Sequence, residues 1–238
     1  MKHLLLAAKT DMSESLRSRW FMVYTLVFGG VIVALFMSGL TESRVMGFSG
    51  LSRVLVTYLQ ITMAILPVFV LITTVLSVAG DREAGVFEYM LSLPVSLFAW
   101  FWGKMLGRFV VVFLPVFLAM FAAVAWGLGR GIEIPWQQVI YYTGFLLSLA
   151  WCFLGIGMLV STLARSSDVA TGIAFIIWLG LLLFMDLILL GLLIRQGMPS
   201  ETVIALALFN PMQVFRTAAM MLFDPQLVLL GQSAYVIL

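Results

Sequence analysis

The polar positions of this chain are bunched, and the intervals between them are long and apolar. From one charged side chain to the next, uncharged runs cover residues 20–41, 54–80, 109–129 and 134–164, lengths of 22, 27, 21 and 31. A fifth run, 169–194, is interrupted only by Asp186, and a sixth, 225–238, reaches the last residue without a charge, cap or turn signal. Lipid offers no partner to backbone N–H and C=O groups, so a crossing segment satisfies them internally as a helix, and about 20 residues at ~1.5 Å each span a hydrocarbon layer of ~30 Å. The pattern predicts an all-α, polytopic membrane protein. Its spans are expected over residues 20–40, 54–79, 105–128, 139–163 and 169–194, with the start of a truncated sixth over 229–238. Pro67 falls mid-span and predicts a kink, because its ring removes one hydrogen bond and crowds the preceding turn.

Residues 1–19 place Leu5, Ala8, Met12 and Leu16 on one helical face and His3, Thr10, Glu14 and Arg17 on the other. That pattern predicts an amphipathic helix in the membrane interface, retained because its apolar stretch is too short for a signal-peptide core. Residues 80–104 form the longest polar segment. Residues 195–224 are too apolar for an exposed loop and predict a hairpin dipping into the outer leaflet. In it Asn210-Pro211 starts a helix, the Asn capping and the proline filling a first-turn position, and Asp224-Pro225 ends it.

Composition agrees: 63% of the 238 residues are hydrophobic and 10% charged, with a mean hydropathy of +1.14, which excludes an ordinary soluble domain. A net charge of +2, dispersed among loops, gives no footprint for nucleic acid. With the N-terminus inside, the inner segments hold eight basic residues and the outer ones five, which favours a cytoplasmic N-terminus. Trp20, Trp100, Trp102, Trp126 and Trp136 fall near predicted span ends, at headgroup level. Cys152 is expected as a small buried residue of the fourth span, and the fifteen methionines, scattered along the chain, as packing residues.

Several chemistries are missing. Gly103-Lys104 has Phe98 where a phosphate loop needs its first glycine and Met105 where it needs a hydroxyl. One histidine and one cysteine make no metal site, and no nucleophile, base and acid set is apparent. No catalytic residue, cofactor or metal is assigned to the chain. Asp186, an ionisable group within a span, is read either as part of a gate or pathway or as an ion pair with Arg195. Arg108, one turn beyond Lys104, is expected to snorkel to the interface.

As a helix, Asp81–Glu88 would set Ala84, Phe87 and Leu91 opposite Asp81, Gly85 and Glu88, giving a short amphipathic element with a charged cytoplasmic face; a solvated loop is the alternative. The run D-R-E-A-G-V-F-E-Y-M-L-S-L-P-V-S, followed by Gly103-Lys104, resembles the signature after the second span of ABC-2 type transporter permeases. The resemblance covers nearly the whole chain. It implies a six-span, type V exporter-like permease subunit in the bacterial inner membrane, forming a homodimer over two copies of a separate ATPase that binds ATP and Mg. The coupling segment, 80–104, would dock on that ATPase through Asp81, Arg82, Glu83, Gly85 and Glu88, with Arg165 and Asp168 of the next inner linker beside them and Pro94 turning the chain toward span three. Val86 departs from the small polar residue usual after the glycine.

Gate or pathway residues would be Asp186, Asn210, Pro211, Phe215 and Arg216. Gly47-Phe48, the D-R-E-x-G-x-x-E segment, Asn210-Pro211 and Phe215-Arg216 look most like the branch serving multi-copper enzyme maturation, as for periplasmic nitrous oxide reductase. That branch implies a periplasmic maturation protein as a further partner. Alternatives are export of an unrelated small molecule or lipid, an ion-driven carrier using Asp186, and a passive membrane anchor.

Overall fold

The computed structural model describes residues 2–37, 50–92, 96–131, 134, 136–184, 205 and 207–223. Among these the chain is helical throughout: α1 (Lys2–Leu16), α2 (Arg19–Met37), α3 (Gly50–Glu83), α4 (Val86–Ser92), α5 (Leu97–Gly129), α6 (Trp136–Leu163), α7 (Ser167–Leu179) and α8 (Pro211–Phe223). A wider π turn, Gly180–Phe184, continues α7. Ile61–Glu83, α5 and α6 are long and apolar enough to cross a membrane, and Phe21–Val31 and Ser167–Leu183 are shorter apolar helices. The sixth span, Asp186, Pro94 and Asp224-Pro225 lie outside the described residues.

α3 is the central helix and packs against α2, α5, α6 and α7. Between apolar helices in lipid, close packing and polar contacts replace the hydrophobic effect as the source of association, and the α3–α6 seam shows both. A Cβ added at Gly157 would stand 2.8 Å from the Thr74 Cβ, so the glycine is what lets the helices approach. One turn on, the buried Ser161 hydroxyl donates to the Val75 carbonyl (2.7 Å) and accepts from the Val78 and Ala79 N–H groups (2.9 and 3.1 Å). α3 runs through Pro67. Near that break the Ala64 carbonyl accepts the Trp178 indole N–H from α7 at 3.2 Å, a neighbouring helix serving a backbone group where a proline disturbs the ladder.

Three expectations need correction. The helix predicted over Asp81–Glu88 is two pieces, because Gly85 takes a left-handed φ of 69° that a residue with a side chain rarely adopts. Asp81–Glu83 close α3, and Val86 opens α4. The helix that carries the third span begins at Leu97, eight residues before the expected Met105, and its 33 residues reach about 50 Å, more than a bilayer core requires. Cys152, expected inside, lies on the exposed face of α6.

Candidate functional site

Most charged residues of the described chain gather at one end of the bundle, where α1, the end of α3, α4, the start of α5 and the α6–α7 turn meet, with Arg130 and Arg216 elsewhere. α1 supplies a stripe of small and polar residues, Leu4, Ala7, Ala8, Asp11 and Ser15, spaced for one helical face. It lies against α5 at Gly103 and Gly107, one turn apart. A Cβ at Gly103 would come within 2.6 Å of the Ala7 Cβ, and one at Gly107 within 2.6 Å of the Ala8 carbonyl oxygen. The two glycines thus form a groove into which α1 sinks, the small-residue packing that membrane helices use. Of the apolar face expected to rest in the membrane interface, Ala8 is in this seam while Leu5 is 64% exposed.

Sinking α1 carries Asp11 into the protein, where its side chain is 1% exposed. A lone buried carboxylate would be costly, and α5 answers it with two cations one turn apart. Arg108 Nε stands 3.2 Å and Lys104 Nζ 3.6 Å from Asp11 Oδ1, and Ser15 donates to Oδ2 at 3.4 Å. Lys104 also pairs with Asp81 of α3 at 2.6 Å, donates to the Ser77 carbonyl and lies 5.3 Å from the Trp100 ring centre. Arg108 donates a second hydrogen bond to the Thr73 carbonyl. Two acids and two bases make a neutral tetrad that ties α1, α3 and α5 together. Arg108 therefore does not snorkel, and Trp100 is buried within the protein.

A second set of contacts leaves the end of α3 in the other direction. Arg82 donates to the carbonyls of Ala164 (2.7 Å) and Thr162 (3.1 Å), which the end of α6 leaves without helical partners, and its guanidinium lies 5.7 Å from the Phe87 ring centre. Glu83 accepts the Ser167 N–H at 2.9 Å, and Ser166 caps α7 by accepting from Val169. Asp168 sits in the first turn of α7, where a negative charge complements the helix dipole. Adjacent residues of opposite charge, Arg82 and Glu83, thus hold the end of one helix and the start of the next.

α4 rests on this platform through Phe87 and Met90, which pack with Trp100. Glu88, Tyr89 and Leu91 point outward, as do Glu83 and Arg165 nearby in the chain's two turns. Of the coupling residues expected from sequence, Glu83 and Glu88 are exposed, Arg82 is committed to α6, Asp81 is turned to Lys104, and Gly85 supplies the break. Sequence reasoning missed Asp11 and Ser161 altogether.

The gate residues lie on other elements. Asn210 is fully buried: its Oδ1 accepts the Met212 N–H (2.9 Å), capping α8 as expected, and its Nδ2 donates to the Leu181 carbonyl in the π turn (2.7 Å). Pro211 opens the helix, buried Phe215 meets Phe145 edge to face at 6.4 Å, and Arg216 faces outward. The link from Asn210 to the π turn joins the start of α8 to a helix whose other end carries Ser167 of the charged cluster.

Residues 5–225 match the ABC-2 family transporter proteins. The chain belongs to that family. It is similar to the probable ABC transporter permease protein NosY of Stutzerimonas stutzeri, 24% identical over 216 residues that cover 88% of this chain and 78% of the relative. A protein of the same description from Pseudomonas aeruginosa strain PAO1 is 24% identical over 223 residues, covering 91% and 81%. This ABC-2 permease is thus a multi-pass helical membrane protein of the NosY branch, and membership of the family implies an ABC ATPase as its partner.

Proposed function

We infer that this permease is driven through its charged end by a separate ATPase, present in two copies beneath a permease homodimer, with ATP and Mg bound by that subunit. The N-terminus is then cytoplasmic, in the bacterial inner membrane. The observation carrying this reading is α4: a seven-residue helix that exposes Glu88, Tyr89 and Leu91 while its other side is fixed to Trp100. A push on that surface reaches α5 through Trp100, α3 through the Gly85 turn, and α6 and α7 through Arg82 and Glu83.

Charge reversal of both acids, Glu83→Lys with Glu88→Lys, is expected to abolish co-purification of the ATPase while leaving the permease in the membrane. Normal co-purification would overturn the docking surface. The likeness to NosY permeases supports the finer reading that the work done is maturation of a periplasmic copper enzyme such as nitrous oxide reductase, through a periplasmic partner. In a deletion strain that enzyme should accumulate with its copper centre incomplete, and a fully loaded enzyme would refute this role.

A further inference from the structure

Beneath the elbow where α1 turns into α2 lies a cavity of about 160 Å³, walled by α3 and α5. Its polar lining comes from the charged end of the bundle: Glu14, Ser15 and Ser18 of the elbow and Arg108 of α5. Apart from Leu76 of α3, its apolar lining sits further along the same helices, with Phe21 on α2, Phe69 on α3, and Val111 and Val112 on α5. A cavity polar toward one end of a membrane helix bundle and apolar beyond it matches an amphiphile lying parallel to the spans.

The polar groups define the headgroup. A guanidinium carries five N–H donors; in Arg108, Nε serves Asp11 and Nη1 serves Thr73, leaving Nη2 without a partner among the described residues. Glu14 has no cationic partner among those residues. Tyr24, 2% exposed and also lining the cavity, has a buried hydroxyl without a hydrogen-bond partner among them. A phosphate suits the Arg108 donors, and an ammonium suits Glu14. A head carrying only negative charge meets Glu14 at the mouth and an arginine already half offset by Asp11.

We propose that this cavity binds one zwitterionic, amine-bearing membrane phospholipid, its phosphate on Arg108, its ammonium on Glu14 and the start of an acyl chain between Phe21, Phe69 and Val112. The site is separate from the ATPase-facing surface of α4.

The test is native mass spectrometry of the purified, delipidated full chain titrated with phosphatidylethanolamine or phosphatidylglycerol of matched acyl chains. The wild type should retain the ethanolamine lipid about fivefold more tightly, the worth of one partly exposed ion pair. Glu14→Gln should erase the preference, and Glu14→Lys should invert it. Both changes fall on an exposed side chain and should leave folding intact. Tyr24→Phe should weaken both lipids. Millimolar inorganic phosphate should leave the lipid bound, and its displacement by phosphate alone would replace the lipid with a free anion site. Equal retention of the two lipids by the wild type, or a preference unmoved by the Glu14 changes, would overturn the proposal.

Discussion

The two ends of the described bundle are held by different chemistry. At the charged end, Asp11, Asp81, Lys104 and Arg108 form a closed set of opposite charges in which each cation touches more than one helix. Around α8, which also carries the exposed Arg216, the described buried contacts are neutral: an asparagine between a helix start and a π-turn carbonyl, a tyrosine hydroxyl 3.4 Å from the Ala219 carbonyl, and paired rings. Buried charges tolerate little displacement, because a separated pair leaves an ion uncompensated. Neutral hydrogen bonds near a π turn exchange more readily, and such turns often mark functional sites. In the function proposed above, the charged end would be the rigid receiver and the neutral end the repackable responder.

Breaking the charged end should produce the largest effects. Lys104→Met strands Asp81 and weakens the pairing of Asp11, and should lower stability by about 3–5 kcal/mol in detergent unfolding. Adding Asp81→Asn should recover part of the loss, and strictly additive losses would show that the tetrad is not a unit. Gly107→Val pushes a side chain onto the Ala8 backbone, costing about 3 kcal/mol as an overpacked contact; cleavage of an α1 protease site should speed up as the helix leaves its groove.

At the other end, Asn210→Ala removes a cap and orphans the Leu181 carbonyl, for a loss of about 2 kcal/mol by the same unfolding assay. If that loss matched the one from Lys104→Met, the contrast between the ends would fail. Tyr142→Phe should cost about 0.6 kcal/mol, the average for one hydrogen bond between membrane helices.

The long helices Ile61–Glu83, α5 and α6 were legible because each is built on a long interval without charge, a signal that survives ignorance of neighbours. The cap at Asn210 was legible because capping is local, acting over two residues. Its second bond, to Leu181, was not, since a π turn has no sequence signature and the partners are 29 positions apart. The tetrad was hidden for the same reason at larger scale. Asp11 and Arg108 are 97 residues apart, and what joins them is a glycine groove whose depth depends on which face α1 turns inward. Gly103-Lys104 drew notice only as an imperfect nucleotide motif and a family signature, while its packing role, with Gly107 and Arg108 one turn on, depended on a partner helix not adjacent in the chain. The short helix over Asp81–Glu88 was misread because hydrophobic periodicity continues through Gly85, although the backbone does not.

The glycine groove also sets an order of assembly. α1 leaves the ribosome before its docking surface, which is built about a hundred residues later, a wait of roughly 5–20 s at ~5–20 residues per second. Throughout that interval Asp11 stays hydrated, and the helix waits as a surface-bound strap. Arrival of Lys104 and Arg108 permits its charge to be buried, so locking of α1 would report that α5 is in place.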